Sequence, residues 1–116
     1  MKIGNHEYGF RLTVGASIQI AKLCPNGDLA RIGEAVGNGY GEQAEVMAKM
    51  IVALNNGYCA AEEFEGRKAY RLTVENVLSL SPATFAELSL EAFKAFTGDI
   101  DGEIEVESEK KAAEEG

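Results

Sequence analysis

The chain contains no tryptophan, one histidine and two cysteines, and each shortage narrows the chemistry open to it. A lone imidazole acts as a general base only beside a nucleophile and an orienting group. His6 instead falls in what reads as a hairpin turn, with no carboxylate or thiol at metal-ligand spacing. Cys24 and Cys59 lie 35 positions apart, and neither a CxxC nor a Cys/His ligand pattern occurs. They are expected to be reduced thiols, buried as small apolar groups in a cytosolic protein. No segment approaches the roughly 18 uninterrupted apolar residues of a membrane span. Met1-Lys2-Ile3-Gly4 lacks the apolar run, about 7–15 residues long, of a signal peptide. No run of Lys or Arg is longer than two, which disfavours nucleic-acid binding. The glycines at 37, 39 and 41 lack the Lys-Ser/Thr of a P-loop and the preceding strand of a dinucleotide fold. No catalytic residue, cofactor or metal is therefore expected.

What is present is a short chain of 116 residues with a lopsided charge. Residues 99–116 hold eight of the nineteen acidic side chains and two of the eleven basic ones. The tail thus carries −6 of the net −8, and residues 1–98 only −2. This division predicts a single compact domain over 1–98 and an acidic flexible tail over 99–116. Within the tail, Glu103-Ile104-Glu105-Val106-Glu107 alternates as a strand would, so pairing with a sheet edge remains open beside disorder.

Leu72 to Gly98 predicts two helices meeting at a proline-marked corner. Thr73 is placed to cap the first, Val74 to Leu80. Ser81 is placed to cap the second, with Pro82 at the first helical position, where a missing N–H costs nothing. Phe85, Leu88, Ala92 and Phe96 recur at helical spacing and give that helix an apolar face. Gly98 suits a left-handed C-cap.

Met1 to Leu12 predicts a β-hairpin. Tyr8, Phe10 and Leu12 alternate with Glu7, Gly9 and Arg11, Met1 and Ile3 supply the facing strand, and Gly4-Asn5 the turn. Thr13 then caps a helix to about Leu23, whose Val14, Ile18, Ile20, Ala21 and Leu23 predict a central position. Pro25-Asn26-Gly27 stops it, and Asp28 caps a short helix from Leu29 to Val36. The glycines at 37, 39 and 41 predict a loose connection. Glu42 to Asn55 is the clearest helix, with Met47, Met50, Ile51 and Leu54 on one stripe and a Glu45/Lys49 pair in the favourable order. Asn55-Asn56-Gly57 reads as its end, with a further helical turn or two from Tyr58 to Glu65. Glu62, Glu63 and Glu65 read as a solvated acidic face. The expected fold is α+β, mostly α: an N-terminal β-hairpin packed on about four helices, followed by the acidic C-terminal tail.

The hairpin "MKIGNHEYGFRLTVGA", the helix "EQAEVMAKMIVALNNGY", the segment "LTVENVLSL" and the last helix "SPATFAELSLEAFKAFTG" occur in an order that resembles the tail assembly chaperones of long-tailed bacteriophages. The resemblance covers roughly residues 1–98. It implies a non-enzymatic protein of the host bacterial cytoplasm that binds and solubilises the tape-measure protein and helps recruit tail-tube subunits. Candidate partner-binding residues are Met47 and Met50, as an adaptable thioether stripe, and Tyr8 and Phe10 on the hairpin. Such genes are often read in two lengths through ribosomal frameshifting, for which Glu109-Lys110-Lys111 permits a slippery run. A homo-oligomer is left open. The alternative is another small interaction or structural protein, such as a virion component or adaptor.

Overall fold

The computed structural model describes the backbone of residues 1–35 and 40–115, and the side chains of 1–34, 41 and 43–98. The fold is α+β and mostly α, a small antiparallel sheet followed by five helices. The predicted hairpin is present in shortened form. Strand β1 (Lys2–Ile3) pairs with β2 (His6–Glu7), Lys2 opposite Glu7 and Ile3 opposite His6. Gly4 makes the turn at φ +61°, a conformation glycine adopts without steric cost. Tyr8 extends the pairing by one step: its N–H donates to Met1 O at 2.9 Å, and the terminal amino group donates to Tyr8 O at 2.6 Å. Beyond Tyr8 the chain leaves its partner and crosses a helix, with Phe10 and Leu12 half-buried against the core as the alternation predicts.

Helix α1 (Val14–Ala21) is capped as expected, Thr13 Oγ1 accepting from Ala16 N at 3.1 Å. It is not central. Ala16 and Ile20 are buried, but Val14 is 78% exposed and Ile18 53%, because the helix lies on the outside of a longer one and only one of its faces is covered. Asn26 and Gly27, at φ 56° and 68°, turn the chain after Pro25. Asp28 Oδ1 accepts from Ala30 N at 3.0 Å and opens a single 3-10 turn (Leu29–Arg31), which runs into α2 (Ile32–Ala35). The predicted glycine-rich connection falls largely at 36–39, outside the described residues.

Helix α3 (Tyr40–Phe64) is the axis of the fold, and both α1 and α5 pack along it. It does not stop at Asn55-Asn56-Gly57. Asn55 is fully buried and Gly57 is buried, so these residues serve as a crossing point instead of a turn. Arg11 N–H donates to Leu54 O at 3.0 Å, using the second lone pair that a helix carbonyl keeps. A Cβ on Gly57 would lie 2.5 Å from Arg11 O and 2.9 Å from Thr13 Oγ1. Only glycine lets the N-terminal segment approach α3 so closely. Two residues earlier along the same segment, a Cβ on Gly9 would meet the Tyr58 ring at 2.5 Å, so that ring packs on backbone.

Helix α4 (Val74–Leu78) is shorter than predicted but carries the full capping box. Thr73 Oγ1 accepts from Asn76 N and Asn76 Oδ1 accepts from Thr73 N, both at 3.1 Å. Helix α5 (Pro82–Glu115) begins where expected, Ser81 Oγ accepting from Thr84 N at 3.2 Å. Leu88, Ala92 and Phe96 are buried and Phe85 is half-buried. The helix continues through Gly98, which lacks the positive φ of a C-cap. The backbone at 103–107 is helical rather than a strand. The side chains of the acidic segment lie outside those described. One cluster of buried residues, from Ile20 through Ala48, Ile51 and Leu54 to Val77, Leu88 and Phe96, ties α1, α3, α4 and α5 together.

Candidate functional site

Asn55 is the polar centre of the molecule. From the middle of α3, its Nδ2 donates to Gly9 O at 3.1 Å and to Tyr70 O at 3.3 Å. Its Oδ1 accepts from Leu72 N at 2.7 Å and faces the Cys59 thiol at 3.9 Å. The partners fix the amide orientation, since two carbonyls require the NH₂ end and a buried N–H requires the oxygen. One side chain thereby holds both the N-terminal segment and the segment entering α4 against α3. His6 adds a second tie between the same two segments, its ring 4.0 Å from that of Tyr70. The ammonium of Lys68 stands 5.8 Å from the Tyr70 ring centre. His6 thus lies in β2, exposed and stacked, and not in the turn.

The acidic residues at the end of α3 are paired rather than merely solvated. Glu62 takes a bond from Arg67, which also reaches Glu65 at 3.3 Å. Arg71 Nη2 holds both carboxylate oxygens of Glu63 at 2.9 Å, and its Nη1 reaches Asn56 Oδ1 at 3.2 Å. The bond from Arg67 holds the Glu62 carboxyl below the usual carboxylate range. At the other end of the body, the Arg31 guanidinium does the same to Glu34. Both thiols are free and buried. Burial pushes Cys24 up, aided by the charge of Asp28; burial pushes Cys59 up against the pull of Arg71. Raised thiols are poor nucleophiles.

Two of the surface concavities are lined by described residues. A groove of about 310 Å³ runs between α1 and α3, floored by Ala16, Ala53, Gly57 and Ala60 and edged by Gln19, Asn56 and Arg71. A second, of about 200 Å³, lies where α3, α4 and α5 meet and is lined, among the described residues, by Ala44, Val77, Leu78, Leu80, Pro82 and Phe85. The second is smaller than the roughly 300–1,000 Å³ of small-molecule sites, and no polar side chain among the described residues lines it. Its size and lining suit an apolar side chain of a partner.

The four candidate partner-binding residues do not form one surface. Met50 is 1% exposed and belongs to the core. Met47 is half-buried against the core, one helical turn after the groove residue Ala44. Tyr8 and Phe10 are half-buried against the core. Sequence reasoning missed Leu78, which is 49% exposed, because its position at the end of a capped helix reads as core packing. Among the described residues no group of three or more His, Cys, Asp or Glu could hold a metal ion, and no helix is long and apolar enough to cross a membrane. No family model, curated protein or solved structure matches the chain.

Proposed function

We propose that this chain is a non-enzymatic tail assembly chaperone of a long-tailed bacteriophage, acting in the host cytoplasm. It binds and solubilises the tape-measure protein and helps recruit tail-tube subunits. The order of hairpin, long helix, capped corner and final helix supports this role by its resemblance to that family. The observation that carries it is the groove at the meeting of α3, α4 and α5, whose described lining side chains are all apolar and whose rim residue Leu78 is half-exposed. A tape-measure protein is a long, apolar, helical chain. An amphipathic helix laid across the groove would insert one large side chain and cover Leu78 and Met47, in the helix-in-groove mode. The acidic segment after Gly98 would keep the complex in solution by like-charge repulsion.

Co-expression with the tape-measure protein encoded beside it tests the role. The wild-type chain should raise the soluble fraction of that partner, and Leu78→Glu should abolish the gain while leaving the melting curve of the chain itself nearly unchanged. Capture should survive raised salt, because apolar contacts are not screened. A tape-measure protein that stays insoluble with the wild-type chain, or is rescued equally by Leu78→Glu, would refute the proposal. So would a gene that does not sit between those for the tail tube and the tape measure.

A further inference from the structure

Helix α5 carries more apolar surface than the fold uses. Leu88, Ala92 and Phe96 enter the core, yet Leu90 is 56% exposed and Phe93 45%. With Ala86 before them and Thr97 after them, they recur at intervals of four, three and four residues. This is the 3.5-residue spacing of a coiled-coil seam, and it lies on a side of the helix turned away from the core. The third side is charged, with Glu87, Glu91 and Lys94 all exposed. A helix covered on one side only needs no second apolar stripe.

We propose that this stripe pairs with the same stripe of a second copy of the chain, the two α5 helices running antiparallel. The charges select both the occupant and the direction. Set antiparallel about a two-fold axis between Leu90 and Phe93, the stripe is self-complementary. Leu90 meets Phe93 of the other copy, Ala86 meets Thr97, and each contact occurs twice, as an isologous interface requires. Glu87 and Lys94 flank the seam on the same side, seven residues apart. The antiparallel register brings Glu87 of each copy opposite Lys94 of the other, giving two ion pairs from one helix sequence. A parallel pair would instead set Lys94 across from Ser89 and leave Glu87 without a cation. The seam shares no lining residue with the groove at Leu78, so Leu90→Glu and Leu78→Glu read dimerisation and partner binding through different side chains.

Sedimentation velocity of the full chain across the micromolar range is the experiment. The wild-type chain should approach twice the 12.4 kDa of one copy, and Leu90→Glu should sediment as a single copy with an unchanged melting curve, because Leu90 is outside the core. Lys94→Glu places two like-charged pairs at the seam and should weaken the dimer roughly tenfold, an effect that salt reduces. Glu87→Lys combined with Lys94→Glu swaps both charges and should restore wild-type dimerisation. A wild-type chain that stays monomeric throughout would overturn the proposal. So would a dimer unaffected by Lys94→Glu, or one weakened by it that the double reversal fails to restore.

Discussion

Replacing Asn55 by alanine would remove the bonds that hold two chain segments against α3. The Leu72 N–H loses its acceptor in a buried position, and an orphaned buried donor costs about 1–3 kcal/mol. The Gly9 and Tyr70 carbonyls are only part-buried. They recruit water in place of the amide and add about 0.5 kcal/mol each. Alanine recovers about 0.7 kcal/mol of helix propensity. The expected loss is therefore about 1–3 kcal/mol, a large share of the roughly 5–15 kcal/mol available to a small domain. Urea denaturation at neutral pH followed by circular dichroism measures it. A loss below about 0.5 kcal/mol would mean that the amide is dispensable and that packing alone docks the two segments.

Asn55→Asp sharpens the same test. Aspartate keeps an acceptor for Leu72 N–H but sets an ionised carboxylate against two carbonyl oxygens in a buried site. Desolvation and those oxygens raise its folded pKa above the ordinary value of about 3.9. A group raised on folding supports the fold below its unfolded pKa and loses that support as pH rises through the folded one. The deficit of this variant relative to wild type should accordingly be smallest in acid and grow toward neutrality. A deficit independent of pH would show that the site is open to water.

Two further outcomes follow from the geometry. Gly57→Ala gains about 1 kcal/mol of helix propensity but drives a methyl against the Arg11 carbonyl, so it should destabilise by about 1–2 kcal/mol net. Gly98→Ala meets nothing within 4 Å and should stabilise by about 0.5–1 kcal/mol; denaturation midpoints moving the other way would contradict the close approach at one site or the helical backbone at the other. The Glu62 carboxyl is held low by its bond from Arg67, so its contribution is present above the ordinary glutamate value of about 4.3 and is lost as pH falls through the lower folded one. Arg67→Gln should return the Glu62 titration, followed by carboxyl-carbon NMR, to the ordinary range, and an unmoved titration would refute the pairing.

The helix N-caps were legible, because such a cap is a local bond, whereas the C-cap expected at Gly98 is absent. Thr13, Asp28, Thr73 and Ser81 each reach a backbone N–H two or three residues on, and sequence contains both partners. Asn55-Asn56-Gly57 was not legible for the opposite reason. Its composition is that of a helix end, and the residues that give it another role are Arg11, Gly9, Tyr70 and Leu72, at distances in sequence that no local pattern carries. The same limit separates α1 from α5. Periodicity correctly marked Leu88, Ala92 and Phe96 as inward, but Val14 and Ile18 have equal apolar periodicity and face outward, since period alone cannot say which face finds a neighbour. Met47 and Met50 differ in burial despite sharing a stripe, Met50 lying within the buried cluster and Met47 packed against its edge. Leu90 and Phe93 were passed over although their signal was present. Once four positions of a helix, Phe85, Leu88, Ala92 and Phe96, were assigned to the core, two large apolar residues at a second, 3.5-residue spacing had no place in it, and an apolar pair left over by one face is what points to a second face.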